Sequence, residues 1–237
     1  MSSEMTVLFC DGHFVVAVKP AGVPAQPDPS ETPDFLTLLA DRIRADEELK
    51  VLPTLYPVLR LDRPVGGVTL VARSPQAHAK LDQLIRERAI TKRYLVLYSG
   101  SLPETTGELR HWLFKIEKLN FSKVVKEGKP GSKEALLRYR VLGTHNNLSL
   151  AEAELVTGRH HQIRAQFSEA GCPLWGDRKY GRWPREIRGF GLWAWKLDFV
   201  HPFTGEMVVA ESLPPMDADP WNRFAQLLQG RPHNLGK

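Results

Sequence analysis

The chain opens on two short apolar runs, Met5–Cys10 and Phe14–Val18, separated only by Asp11-Gly12-His13. Runs this short and rich in β-branched residues, with an Asp-Gly turn between them, close as a β-hairpin. Lys19-Pro20-Ala21-Gly22-Val23-Pro24 follows at once. Its prolines and glycine stop regular structure and leave a rigid loop. Further strand-like runs come at Val68–Ala72, Lys92–Tyr98, Leu136–Leu142, Leu148–Val156, Leu192–Phe199 and Met207–Ala210. Helical spacing is confined to a few stretches. Phe35, Leu36, Leu38, Leu39 and Ile43 recur on one face, with Asp34 as N-cap. Ser74-Pro75 opens a second helix that turns Ala77, Leu81, Leu84 and Ile85 inward. Thr157 is expected to cap a third helix running to Ala170, with Gly171 just past its end. The pattern predicts an α+β fold, a single domain over residues 1–237 with a long mixed, mostly antiparallel sheet. Residues 120–134, rich in Lys and holding Gly128, Pro130 and Gly131, are expected to be a mobile basic loop.

Composition narrows the function. With 42% apolar and 25% charged residues, the chain is ordinary globular protein and not disordered. The net charge of +5 is unevenly placed. Nine Lys/Arg face three Glu between Leu109 and Arg140, and seven face three acids between Arg159 and Arg188, so the remainder is net negative. Two basic blocks suit a polyanionic partner. Two cysteines, Cys10 and Cys172, make no disulfide framework and no zinc set. His160 and His161 are adjacent, about 100° apart on a helix, and cannot chelate one metal as an i, i+4 pair would. The run Phe14–Val18 is too short to span a membrane, and no basic-then-apolar leader precedes it. A cytoplasmic protein without metal is expected.

Three stretches could carry chemistry, and a fourth, Thr91-Lys92-Arg93-Tyr94, sets on a strand a tyrosine that is core or a platform for a flipped base. Arg60-Leu61-Asp62-Arg63-Pro64-Val65-Gly66-Gly67 places a carboxylate between two guanidinium groups in a loop that Gly-Gly lets approach a ligand closely. Such a carboxylate is available as an anion, which suits a nucleophile and not a general acid. Read alone, it is equally a turn aspartate with surface ion pairs. Thr157-Gly158-Arg159-His160-His161-Gln162-Ile163-Arg164 loads the start of a helix with cationic and polar side chains, an anion site or a solvated basic helix. Ile163 and Phe167 should face the core, and Arg164 at the edge of that stripe needs a carboxylate partner. Trp175–Trp183 interleaves aromatics with Arg and Lys, as a base-stacking surface or as core with charges between. Phosphate-cradling GxGxxG and GxxxxGK[ST] patterns are absent from the sequence.

In order, the motifs resemble those of the RluA-type pseudouridine synthases over nearly the whole chain. Lys19-Pro20-Ala21-Gly22 is similar to the family's KPxG, and Arg60-Leu61-Asp62 to its RLD core. Lys92-Arg93-Tyr94 matches the segment with the family's active-site tyrosine, and 157–164 matches TGRxHQ[IL]R. Gly176-Asp177-Arg178-Lys179-Tyr180-Gly181 matches GDxxYG, and His201–Glu206 matches HPxTGE. The chain departs from HRLDxxTSG at Leu59, Val65 and Gly66, and Trp193 stands where His is usual.

The resemblance implies a pseudouridine synthase catalytic domain with a catalytic cleft across the middle of its sheet, and no N-terminal S4 domain before Lys19. It implies isomerisation of one uridine, flipped out of structured RNA. Asp62, Tyr94 and Arg164 would be the catalytic residues: Asp62 acting on the ribose, Tyr94 stacking on the base, Arg164 pairing with Asp62. Arg60 would fill the gap left by the flipped nucleotide, Ile163 would pack on the base, and Lys19, Arg159 and Gln162 would contact the RNA. No cofactor or metal is implied, a monomer is expected, and tRNA is favoured over rRNA as target. Two rival readings are a non-catalytic RNA-binding or RNA-folding protein on the same scaffold and an enzyme acting on a free nucleoside.

Overall fold

The computed structural model describes residues 5–28, 32–47, 51 and 53–230. They form two compact units, one made of the stretch to Ile90 together with Ala194–Ser212, the other of Thr91–Trp193 and the stretch from Leu213.

In the first unit the expected hairpin is present, as β1 (Val7–Cys10) and β2 (Phe14–Lys19). Asp11 closes its turn by accepting the backbone N–H groups of His13 and Phe14 at 2.7 and 2.8 Å. Helix α1 (Phe35–Asp46) starts where Asp34 accepts from Leu36 N and Thr37 N. After β3 (Tyr56–Pro57) comes β4 (Gly66–Ala72), then α2 (Pro75–Arg86), capped by Ser74 with Pro75 in its first turn. Strand β4 is buried along its whole length because both faces of the sheet are covered. Phe14, Val16, Leu70 and Ala72 pack with Ala77 and Leu81 of α2, whereas Val15, Ala17 and Val71 pack with Phe35, Leu39 and Ile43 of α1.

The second unit holds β5 (Thr91–Ser99), β6 (Thr106–Ile116), β7 (Phe121–Val125), β8 (Lys133–His145), β9 (Leu148–Leu155) and α3 (Gln162–Glu169). Its strand order is β5-β9-β8-β6-β7, with antiparallel pairing throughout. Strand β7 and the first residues of β8 lie within residues 120–134, where a loop was expected, and a turn occupies 126–132 between them. Strand β10 (Leu192–Val200) then carries the chain into the first unit, where β11 (Met207–Glu211) pairs with it. The order there is β1-β2-β4-β10, with β3 on β4. His201, in the turn between β10 and β11, bonds Asp11 at 2.8 Å and so ties that turn to the opening hairpin. The chain returns to the second unit through a short turn over Trp221–Phe224 and α4 (Ala225–Gln229), burying Trp221, Phe224 and Leu228. Among the described residues no helix is long and apolar enough to cross a membrane.

Candidate active site

Of the residues singled out in the sequence, Lys19, Arg60 and Asp62 lie in the first unit, and Tyr94, Arg159, Gln162, Ile163 and Arg164 in the second. Asp62 sits half-buried in a tight turn, its carbonyl accepting Val65 N at 2.9 Å. Leu61 and Val65 on either side are buried, and Leu59 packs against the core around Phe14 and Leu70. Leu59 is also pinned through its backbone: its N–H reaches Leu70 O, and its carbonyl accepts Thr69 Oγ1 at 2.7 Å. Leu59 and Val65, where the usual His and Thr of the motif are missing, thus anchor the loop by apolar packing. Gly67 has φ +118°, and a Cβ there would stand 2.0 Å from Ala194 O. Only glycine fits between the Asp62 loop and β10. Arg60 is exposed, with Nη1 on Gln26 Oε1 at 3.2 Å.

Lys19 is not placed as expected. A phosphate contact requires an accessible ammonium, but Lys19 is 1% exposed. Its Nζ donates to Pro20 O at 2.9 Å, Val23 O at 2.7 Å and Arg63 O at 3.3 Å. Three donors meet three carbonyls, so its hydrogen bonds are all made within the protein. Burial lowers its pKa to about 8, opposed by Asp62 and assisted by Arg63.

In the second unit Tyr94 lies on β5 opposite Ala153. It shares a strand face with Tyr98, whose ring meets Phe167 of α3 edge-on at 5.3 Å. Helix α3 begins later than expected, at Gln162, and is not capped by Thr157. Thr157 Oγ1 instead accepts Leu136 N and donates to Gln162 Oε1 at 2.8 Å, while Arg159 N donates to the same Oε1 at 2.9 Å. Gln162 is 3% exposed, so this amide braces the approach to the helix from inside. His161 holds the cap position at φ 52°. Residues 162–167 are all buried, which excludes a solvated basic helix. Buried Arg164 holds one carboxylate within its own unit, Asp177: Nε to Oδ2 at 2.7 Å and Nη2 to Oδ1 at 2.9 Å. Ile163 is buried, and Arg159 is exposed, with Nε on Glu134 O.

Around the start of α3, Tyr180 OH is hydrogen-bonded to His161 Nδ1 at 3.0 Å and accepts Ser122 N at 2.7 Å. Burial drives His161 down to about 3 and Tyr180 up to about 12, so both are neutral near pH 7. Ser122 Oγ donates to His160 O, and Lys179 Nζ caps Leu119 O and Asn120 O. This network fixes the β6–β7 turn against α3. The roles of Asp177, Tyr180 and Ser122 were not read from the sequence, although the match to GDxxYG marks two of them.

The model of the RNA pseudouridylate synthase family matches residues 13–169. An uncharacterised RNA pseudouridine synthase of Bacillus subtilis, YhcT, is 31% identical over 90% of this chain and 70% of its own. The ribosomal large subunit pseudouridine synthase D of Nitrosomonas europaea is 31% identical over 97% of this chain and 67% of its own. Among solved structures, human RNA pseudouridylate synthase domain containing 4 superposes with a TM-score of 0.76 at 21% identity, over 94% of this chain and 93% of that one. These likenesses define an α+β fold with a mixed sheet of many strands. The chain belongs to the RluA-type RNA pseudouridylate synthases, isomerases that convert uridine to pseudouridine in RNA.

Proposed function

We propose that the chain isomerises one uridine in a structured RNA, with Asp62 as the group that acts on the ribose. The observation that carries this reading is the Asp62 turn itself, a half-buried carboxylate held by buried Leu61 and Val65 with an exposed arginine on each side. The uridine is flipped out of its stack, at a cost of a few kcal/mol. Asp62 attacks C1′ or removes the 2′ proton, and the N1–C1′ bond breaks. The uracil turns in the pocket and its C5 joins C1′, either displacing the Asp62 carboxylate from C1′ or, in the glycal course, adding to C1′ as Asp62 returns the proton to C2′; the C5 proton then leaves and N1 is protonated. Tyr94 stacks on the base and assists loss of the C5 proton, Ile163 packs against the base, and Arg164 orients Asp62. Arg60 fills the gap in the RNA stack with its planar guanidinium. Arg159 and the two basic blocks contact phosphate. The protein works as a cytoplasmic monomer.

The target by family resemblance is tRNA. Large-subunit rRNA is the second reading, supported by the names of several relatives, ribosomal large subunit pseudouridine synthases D. Mapping pseudouridines in total RNA from cells with and without the gene tests both. One site lost from tRNA supports the first, and one lost from large-subunit rRNA the second. If no site is lost and the purified protein isomerises no transcript, the catalytic reading fails and an RNA-folding role stands.

A further inference from the structure

His160 belongs to the second basic block of the sequence and bonds two residues of the first, Asn120 and Ser122. Its Nε2 meets Asn120 Oδ1 at 2.8 Å, and its Nδ1 meets Ser122 Oγ at 2.8 Å. The proton count of these contacts is restrictive. A serine hydroxyl has one proton, and Ser122 Oγ donates it to His160 O at 2.7 Å. At Nδ1 that oxygen can then only accept, and Asn120 Oδ1 can only accept as well. Both ring nitrogens of His160 must therefore donate, which is the imidazolium and neither neutral tautomer. We propose that His160 is a positioning residue for RNA binding: as an imidazolium donating from both ring nitrogens, it latches the turn Glu117–Asn120 to the start of α3 and so sets where that turn meets the phosphate backbone.

This rests on the reading of the two basic blocks as phosphate contacts. The turn is held from several sides. Asn120 stands at φ 46° with its N–H on Glu117 O, and Lys179 Nζ donates to Leu119 O at 3.3 Å and to Asn120 O at 2.9 Å. Ser122 is 2% exposed, and Phe121 stacks on the Tyr180 ring at 4.4 Å. Lys115, Lys118, Leu119 and Lys123 are exposed around this fixed backbone. Cations already set in place lose less freedom on binding than mobile ones do. The charged groups around the latch, among the described residues, are Glu117 and Lys118 on the turn, Lys123 on β7, Arg159 beside His160, Arg164 on α3, and Asp177 and Lys179 after it. His161, stacked on His160 at 3.8 Å, and Tyr180 are neutral near pH 7. Cations outnumber carboxylates in this set, so the two acceptors, and not the neighbouring charges, hold the proton on His160. Proton binding and docking are linked. The latch is complete below the titration of His160 and loosens as pH rises through it.

The test uses the full chain and total RNA made in cells lacking the gene. Affinity is measured by filter binding from about pH 5 to about pH 9, the range in which histidine titrates, and ring protonation is read from the ring-nitrogen NMR shifts. Near pH 7 both nitrogens of His160 should carry a proton. RNA affinity should fall about tenfold as His160 loses its proton, the scale of one hydrogen bond to a charged group. His160→Ala should bind as weakly at every pH. His160→Arg, whose guanidinium donates without titrating, should restore affinity and show no limb. Ser122→Ala removes no charge yet should weaken binding too, and the double variant should lose no more than His160→Ala alone, because both break one latch. A bare ring nitrogen on His160 near pH 7, an affinity that ignores its titration, or losses that add in the double variant would each overturn the proposal. Should the variants fail to fold, the wild type decides: the affinity limb and the His160 titration must share one midpoint, and separate midpoints overturn it. Lys118→Ala with Lys123→Ala should flatten the salt dependence of binding. Unchanged affinity there means that the turn meets no phosphate, which overturns the proposal whatever the state of the ring. Isomerisation is followed separately, by tritium release from uridine C5. Its absence with RNA binding intact defeats the catalytic reading, while the affinity limb and the ring titration still decide the latch.

Discussion

Arg164 and Asp177 form a two-point ion pair buried inside the second unit, with side chains 6% and 1% exposed. Asp177 Oδ1 also accepts Lys179 N at 3.1 Å and Tyr180 N at 3.3 Å. One carboxylate therefore fixes the guanidinium and the loop after it. The Arg164 guanidinium lies 5.1 Å from the Tyr180 ring centre and 5.3 Å from that of Phe190, within cation–π range of both rings.

Asp177→Ala should be severe. Removing one partner of a buried pair leaves an uncompensated charge, which costs about 3–5 kcal/mol. Urea unfolding of wild type and variant measures this. A cost below about 1 kcal/mol would place the pair in the energetic class of surface ion pairs.

Gly67→Ala should fail for a different reason. The residue has φ +118°, and its Cβ would overlap the Ala194 carbonyl. We expect a loss of more than about 2 kcal/mol, because left-handed strain and backbone displacement add. Gly12→Ala, where nothing lies within 4 Å of the new Cβ, is the control and should be close to neutral. Similar melting temperatures for the two variants would contradict this.

His161 predicts acid sensitivity. Its pKa is about 3 in the folded chain against 6.5 ordinarily, because burial and then the charge of Arg164 disfavour the imidazolium. Between those values the unfolded chain binds the extra proton, so the stability is complete above pH 6.5 and is lost as pH falls toward 3. The loss is at most about 1.4 kcal/mol per pH unit. His161→Asn, which tolerates the left-handed backbone, should flatten the dependence between pH 4 and 6.5. An unchanged slope would assign the acid sensitivity to other groups.

Asp62→Asn should abolish isomerisation while RNA binding persists. Binding should weaken steeply with salt in wild type and variant alike, since it depends on phosphate contacts. Turnover of uridine monophosphate with little salt dependence would favour the free-nucleoside reading. Residual wild-type activity in Asp62→Asn would remove Asp62 from the chemistry.

The parts of the fold set by neighbours in sequence were legible. The Asp11 turn, the Asp34 and Ser74 caps and the fully buried β4 are each specified within a few residues. What escaped were arrangements made by distant partners. Thr157 looked like a cap, but its hydroxyl meets Leu136 across the sheet, 21 residues earlier. Lys19 looked like a phosphate ligand because its acceptors are backbone carbonyls, which leave no mark in a sequence. Strand β6 was hidden because alternate residues, among them Glu108 and Arg110, are exposed and charged, so one half-wet strand ran into the basic stretch behind it. At Leu59 and Val65 the departure from the family pattern is visible, but only the packing shows that both side chains anchor the loop to the core.

The first unit is discontinuous, closed by Ala194–Ser212, which arrive more than a hundred residues after Ile90. On the ribosome, where chains emerge N-terminus first, β4 and the Asp62 loop are therefore synthesised long before Ala194 can pack against Gly67 or His201 can reach Asp11. Until then β4 presents an open edge, the kind of surface that invites pairing with another chain. A nascent chain stalled short of Ala194 should be cut readily by protease within residues 53–73 and become resistant once Ser212 has emerged. The Asp62 loop would then be among the earliest parts of this protein to be made and among the last to become ordered.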